Sequence, residues 1–138
     1  MIILDTNVLS ALMRQTPDQH VIEWLDRQPR TSVWTTAVTI LEIRFGLQIM
    51  ATGKRRSLLI QAFQTALDAM GNHIVSFDAA AATTAAELMA ARQKRGRPGD
   101  LRDTMIAGIV LAHRATLVTR NTTHFEDLPV PVINPWNA

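Results

Sequence analysis

The chain is expected to adopt an α/β fold: a mainly parallel central sheet flanked by helices on both faces, with a helical arm. Three observations predict it. Short apolar runs recur at 1–4, 32–35, 73–76, 116–119 and 130–133. Stretches of helical periodicity separate them, which is the signature of crossover connections between parallel strands. The first run stops at Asp5, as a buried parallel strand does when its carboxyl end carries a polar group. A length of 138 residues fits one compact domain, 1–138, able to bury roughly two-thirds of its unfolded surface.

The elements follow in order. After the strand at 1–4, residues 6–13 read as helical, and Pro17 with Asp18 opens a second helix that Gln28-Pro29 ends. The strand at 32–35 leads into a helix from Thr36 to about Ala51 that Gly53 closes, and Lys54-Arg55-Arg56 opens the next, ending near Gly71. These two helices form the arm. The strand at 73–76 runs to Asp78, an N-cap for an alanine-rich helix reaching Gly96, whose small side chains permit close packing. The loop at 96–100 hands over to a helix from Leu101 to about Arg114, followed by the strand at 116–119 and a helical turn at 121–125. Pro131 interrupts the last strand and places it at an edge.

Composition narrows the chemistry. The chain has no cysteine, which excludes thiolate zinc sites and cysteine nucleophiles, and its histidines (His20, His73, His113, His124) lack metal-ligand spacing. Any metal must therefore sit on oxygens. No apolar run spans a membrane and no secretory signal opens the chain, so the expected location is the cytoplasm. The sequence pI of 9.9 overstates a formal charge of +2, because neither Tyr nor Cys titrates below Lys. Of fourteen cationic residues only Lys54 and Lys94 are lysine. That guanidinium bias suits phosphate contact, although a GC-rich genome produces it too.

Three acids stand out. Glu42 shares a helical stripe with Val38, Phe45, Gly46 and Ile49, so its carboxylate is expected to face inward, unless it pairs with Arg44 or snorkels at the margin. Asp103 precedes Ile106, Ala107 and Val110 on one face, and Asp100 fits the capping role one turn earlier better than it does. Asp5 ends the first strand, where α/β sheets bind ligands, although capping of the next helix accounts for Asp-Thr-Asn taken alone. Three carboxylates converging at about 5 Å would repel by roughly 3 kcal/mol per pair at an effective dielectric near 20. Protonation or a bound cation must relieve that, and an all-oxygen site suits Mg²⁺ or Mn²⁺.

The segments MIILDTNVLS, VTILEIRFGL, RDTMIAG, LVTRNTTHF and the terminal INPW follow one another in this order. With them the chain resembles, over essentially its whole length, PIN domains, close to the VapC and FitB toxins of bacterial toxin–antitoxin modules. It implies a cytoplasmic, magnesium-dependent ribonuclease toxin in which Asp5, Glu42 and Asp103 hold the metal. Many relatives carry a fourth acid where this chain has Asn121, so one well-held metal is expected, with Asn121 and Thr119 ordering a water. The resemblance also implies a VapB/FitA-like antitoxin partner, a homodimer, and contact with operator DNA only through the antitoxin.

On this reading Mg²⁺ on Asp5 and Asp103, with Glu42 directly or through water, activates a water for phosphodiester hydrolysis, and Glu42 or a neighbouring acid takes its proton. Arg92, Arg95, Arg97 and Arg102 lie near in sequence, with Arg97 and Arg102 the RNA-binding candidates; a solvated helix end accounts for them equally. The apolar Leu47, Ile49 and Met50 of the arm serve either a dimer contact or the core. Two rivals remain. A haloacid-dehalogenase-like phosphatase also begins with strand and aspartate, but Asn7 stands where its second acid belongs. A catalytically weak PIN-like domain acting mainly as a binding partner in an antitoxin/DNA complex is the non-enzymatic alternative.

Overall fold

The structure, a computed structural model, describes residues 1–138. Five strands, β1 (Ile2–Leu4), β2 (Val33–Thr36), β3 (Ile74–Val75), β4 (Thr116–Val118) and β5 (Val132–Ile133), form one sheet in the order β3-β2-β1-β4-β5. Every pairing is parallel, with Ile3 opposite both Trp34 and Leu117. β5 begins immediately after Pro131 and lies at an edge, as a residue without an N–H requires.

The helices are α1 (Thr6–Leu12), α2 (Gln19–Asp26), α3 (Ala37–Ile49), α4 (Lys54–Ala69), α5 (Ala79–Lys94) and α6 (Leu101–Ala112). Because side chains alternate along a strand, the sheet feeds two cores. Ile3 and Leu117 point to one, with Ala81, Leu88, Ile106 and Ile109 of α5 and α6. Leu4, Val33 and Val118 point to the other, with Val8, Trp24, Ile43 and Phe63 of α1 to α4. Residues from α3 and α4 thus anchor the arm in the core, while Leu41, Phe45, Ile49 and Leu58 remain exposed on it.

Two expectations shift here. Gly53 does not close α3: that helix ends at Met50, whose backbone turns extended, and Gly53 is the N-cap of α4. Leu47 is core and Met50 packs against it, leaving only Ile49 of the three arm residues free at 69% exposure. The alanine-rich α5 does permit close packing. A Cβ built on Gly108 of α6 would lie 2.6 Å from the Ala81 carbonyl oxygen and 2.6 Å from the Ala85 Cβ.

The strand order locates a crevice. From β1 the chain steps to β2 and β3 on one side, then jumps back across β1 to β4 and β5. The direction therefore reverses between β1 and β4, and a crevice opens there outside the carboxyl ends of the two strands.

Candidate active site

Asp5 follows β1 directly and is 3% exposed. It caps α1 through Oδ1, which accepts from the Thr6 N–H at 2.7 Å. Its Oδ2 accepts from the Thr119 hydroxyl at 2.7 Å and the Asn7 amide at 3.1 Å. Capping and site are therefore not alternatives, since one oxygen serves each. Thr119 follows β4, so its bond to Asp5 bridges the switch point. Burial pushes the Asp5 carboxyl above its ordinary range, the donors from Thr119 and Thr6 pull it back, and the negative charge of Asp103 raises it further.

Glu42 is half-buried on α3, and its Oε1 accepts from the Thr6 hydroxyl at 2.8 Å. The stripe assigned to it is only partly inward: Val38 is buried, but Phe45 is 56% and Ile49 69% exposed. Its carboxyl too is raised, first by burial and then by Asp5 and Asp103, with Thr6 and Arg102 opposing. Arg102 is therefore near enough to act on Glu42, and it forms no salt bridge of its own.

Asp103 lies in the first turn of α6, with Asp100 as the N-cap accepting from its N–H at 3.0 Å. Burial raises the Asp103 carboxyl, Asp100 adds to the rise, and His124 lowers it. His124 Nδ1 stands 3.2 Å from Asp103 Oδ2. Asn121 is exposed just beyond β4; its N–H donates to Thr119 Oγ1 at 3.1 Å, and its side chain makes no hydrogen bond.

The three acids thus come to one side of the sheet and act on one another electrostatically. They do not close into a cage, since no three His, Asp or Glu side chains are grouped tightly enough to grip one ion. The donor chemistry nonetheless fits a hard divalent cation: carboxylate and hydroxyl oxygens only, on acids whose ionised forms are disfavoured as they stand.

A polar cleft of about 570 Å³ opens beside Asp103, lined among others by Arg95, Arg97, Asp100 and His124, and by no hydrophobic residue. Arg97 is exposed on it. Arg92 is a correction. It is 4% exposed, grips Asp127 through Nε and Nη2 at 2.9 Å each, and donates to Thr104 at 3.0 Å and to the His124 carbonyl at 3.1 Å. Each of its three guanidinium nitrogens donates a hydrogen bond within the protein, and Arg95 also leans on Asp127 at 3.1 Å. Sequence reasoning missed this clamp and His124, because an arginine in the last turn of a helix shows no sign of burial and its partner lies 35 positions away.

The PIN domain family model matches residues 2–130. The chain belongs to the PIN domain family. It is 38% identical to the plasmid stability protein StbB of Pseudomonas syringae pv. tomato, with all of both chains covered. It is 37% identical to the VapC ribonuclease Y4jK of Sinorhizobium fredii, covering 99% of this chain and 98% of that one. The crystal structure of FitAcB from Neisseria gonorrhoeae superposes with a TM-score of 0.89 at 32% identity over the whole of both chains. FitAB has also been solved bound to a DNA fragment, and matches with a TM-score of 0.87 at 32% identity over 99% of this chain and 96% of that one. This PIN domain has no helix long and apolar enough to cross a membrane.

Proposed function

We propose that this PIN domain is a ribonuclease toxin that hydrolyses RNA phosphodiester bonds with Mg²⁺ or Mn²⁺, held by Asp5, Asp103 and Glu42. One observation carries the reading: acids from three separate elements lie on one side of the sheet beside a switch point, each with its carboxyl raised by burial and by like charge. Such a concentration of disfavoured negative charge is what a divalent cation relieves. When bound, the ion supplies positive charge to the phosphate and lowers the pKa of an attacking water.

The chain's own residues prepare the rest. Thr119, Asn7 and the Thr6 N–H fix the Asp5 carboxylate, as outer-shell donors fix a metal ligand. Thr6 engages Oε1 of Glu42, leaving Oε2 to accept a proton. Asn121 presents an unengaged amide at the end of β4 that orders water or substrate. Arg97 and Arg102, exposed and free of salt bridges, contact the RNA backbone.

The partner is an antitoxin of the VapB/FitA kind, through which operator DNA is reached. Relatives named as toxins and the FitAB structures support this. The exposed apolar side chains Leu41, Phe45 and Ile49 support a homodimer through the arm. The antitoxin-free protein incubated with total RNA and Mg²⁺ should create new RNA ends, mapped by sequencing, and Asp5→Asn and Asp103→Asn should each abolish them. Metal-dependent cleavage retained in both variants would falsify the assigned site. Antitoxin binding without cleavage by the wild type would favour the binding-partner reading.

A further inference from the structure

Arg120 follows Thr119 at the end of β4, beside the switch point. Its backbone N–H donates to Asn7 Oδ1 at 3.0 Å, and the amide of the same Asn7 donates to Asp5 at 3.1 Å. The position of Arg120 relative to Asp5 is therefore set through one side chain. The guanidinium is exposed, with no hydrogen bond and no carboxylate partner. It lies over the Trp136 ring, 4.7 Å from the centroid. Trp136 is itself half-buried: its side chain packs against the core cluster containing Leu4 and Val118, and its backbone N–H donates to Asn134 Oδ1 at 2.9 Å. A cation on an anchored ring loses little freedom on binding, and a flat guanidinium suits both phosphate oxygens and the face of a base.

We infer that Arg120, held over Trp136, is a nucleotide subsite for single-stranded RNA at the β1–β4 switch point, binding a backbone phosphate next to the acid centre. The inference rests on the ribonuclease reading and extends it to substrate binding. An acidic centre repels the polyanion it must cleave, so fixed positive charge has to border it. Arg92 is committed to Asp127 and cannot serve. The other arginine stacked on a ring, Arg44, sits over Phe63 on the α3–α4 pair.

The test is fluorescence anisotropy of the antitoxin-free protein with a labelled single-stranded RNA of about a dozen nucleotides, in EDTA, across a salt series. Arg120→Ala should weaken binding about tenfold and flatten the log–log salt slope by about 0.7, the share of one phosphate on a single strand. Arg120→Lys should keep the slope, because the charge stays, while binding more weakly than wild type. Trp136→Phe keeps an aromatic support and should fall between wild type and Arg120→Ala. An unchanged melting temperature for Arg120→Ala would show that the exposed substitution leaves the fold intact. Wild-type affinity and slope in Arg120→Ala overturn the inference, as does loss of antitoxin capture with RNA binding unchanged, which assigns the pair to a protein interface. Failure of the ribonuclease reading looks different: the wild type itself would cleave no RNA.

Discussion

Replacing Arg92 by Met should cost this PIN domain about 3 kcal/mol. The side chains of Arg92 and Asp127 are 5% and 20% exposed, and the pair is doubly hydrogen-bonded. Removing one partner of a buried pair costs roughly 3–5 kcal/mol when the other charge is left uncompensated. The residual exposure of Asp127 and its remaining contact with Arg95 at 3.1 Å put the value at the low end. Met fills much of the stem but also leaves the His124 carbonyl without its donor. For a domain of this size about 3 kcal/mol corresponds to a fall in melting temperature of roughly 10 °C.

The pH dependence supplies a second check on that clamp. Hydrogen bonds from Arg92 hold the Asp127 carboxyl below its ordinary range. A lowered native value contributes stability above the unfolded value near 4, and loses it as pH falls through the native one. The gap between wild type and Arg92→Met in urea melts should therefore be full at neutral pH and narrow below about pH 4. The raised values of Asp5 and Glu42 act in the opposite sense but are common to both proteins, whereas Arg92 also lowers the Asp103 carboxyl, so its loss widens the neutral-pH gap in the same sense. A gap under about 1 kcal/mol at neutral pH, or one indifferent to acid, would refute the clamp.

Gly108→Ala should destabilise by about 2 kcal/mol or more in chemical denaturation, because the new methyl meets the Ala81 carbonyl on an adjacent helix, and backbone cannot step aside as a flexible side chain can. Thr119→Val should weaken Mn²⁺ binding by about 10- to 100-fold in calorimetry, by releasing the oxygen of Asp5 that it holds at 2.7 Å. A wild-type Mn²⁺ affinity in that variant would remove Thr119 from the support of the metal site.

The parallel sheet was legible because each strand is a short apolar run between helical periods, and the caps at Asp18, Asp78 and Asp100 were legible because a cap is local chemistry. Asp5 and Asp103 stood out for a related reason, as charges beside apolar residues. The inward stripe of α3 was misjudged, since Val38, Leu41, Ile43, Phe45, Leu47 and Ile49 make that helix apolar nearly all round. Periodicity cannot then say which side meets the sheet. The Schellman turn at Gly96, where Arg97 donates to Arg92 at 2.9 Å, was visible as a glycine stop. What that turn serves was not, because the Arg92 clamp depends on Asp127 arriving from a distant loop.

The donor network around Asp5 predicts that the three acids will not respond alike to neutralisation. In EDTA at neutral pH, Asp103→Asn should raise the melting temperature, because a carboxyl disfavoured by burial and by Asp100 loses its charge at the cost of one contact with His124. That gain should vanish as pH falls below the ordinary carboxylate range, where the wild-type group is already neutral. Asp5→Asn removes a charge that is buried more deeply, yet its new amide group must face donors. The Thr119 hydroxyl already accepts from Asn7 and from the Asn121 N–H, so it is poorly placed to accept a third. Asn7 cannot flip its amide without releasing the Arg120 N–H. A buried donor left unpaired costs about 1–3 kcal/mol. Asp5→Asn should therefore melt below Asp103→Asn in the same scan. Equal gains in the two variants would mean that the hydroxyl and amide around Asp5 reorganise freely, and that they do not hold its carboxylate in place.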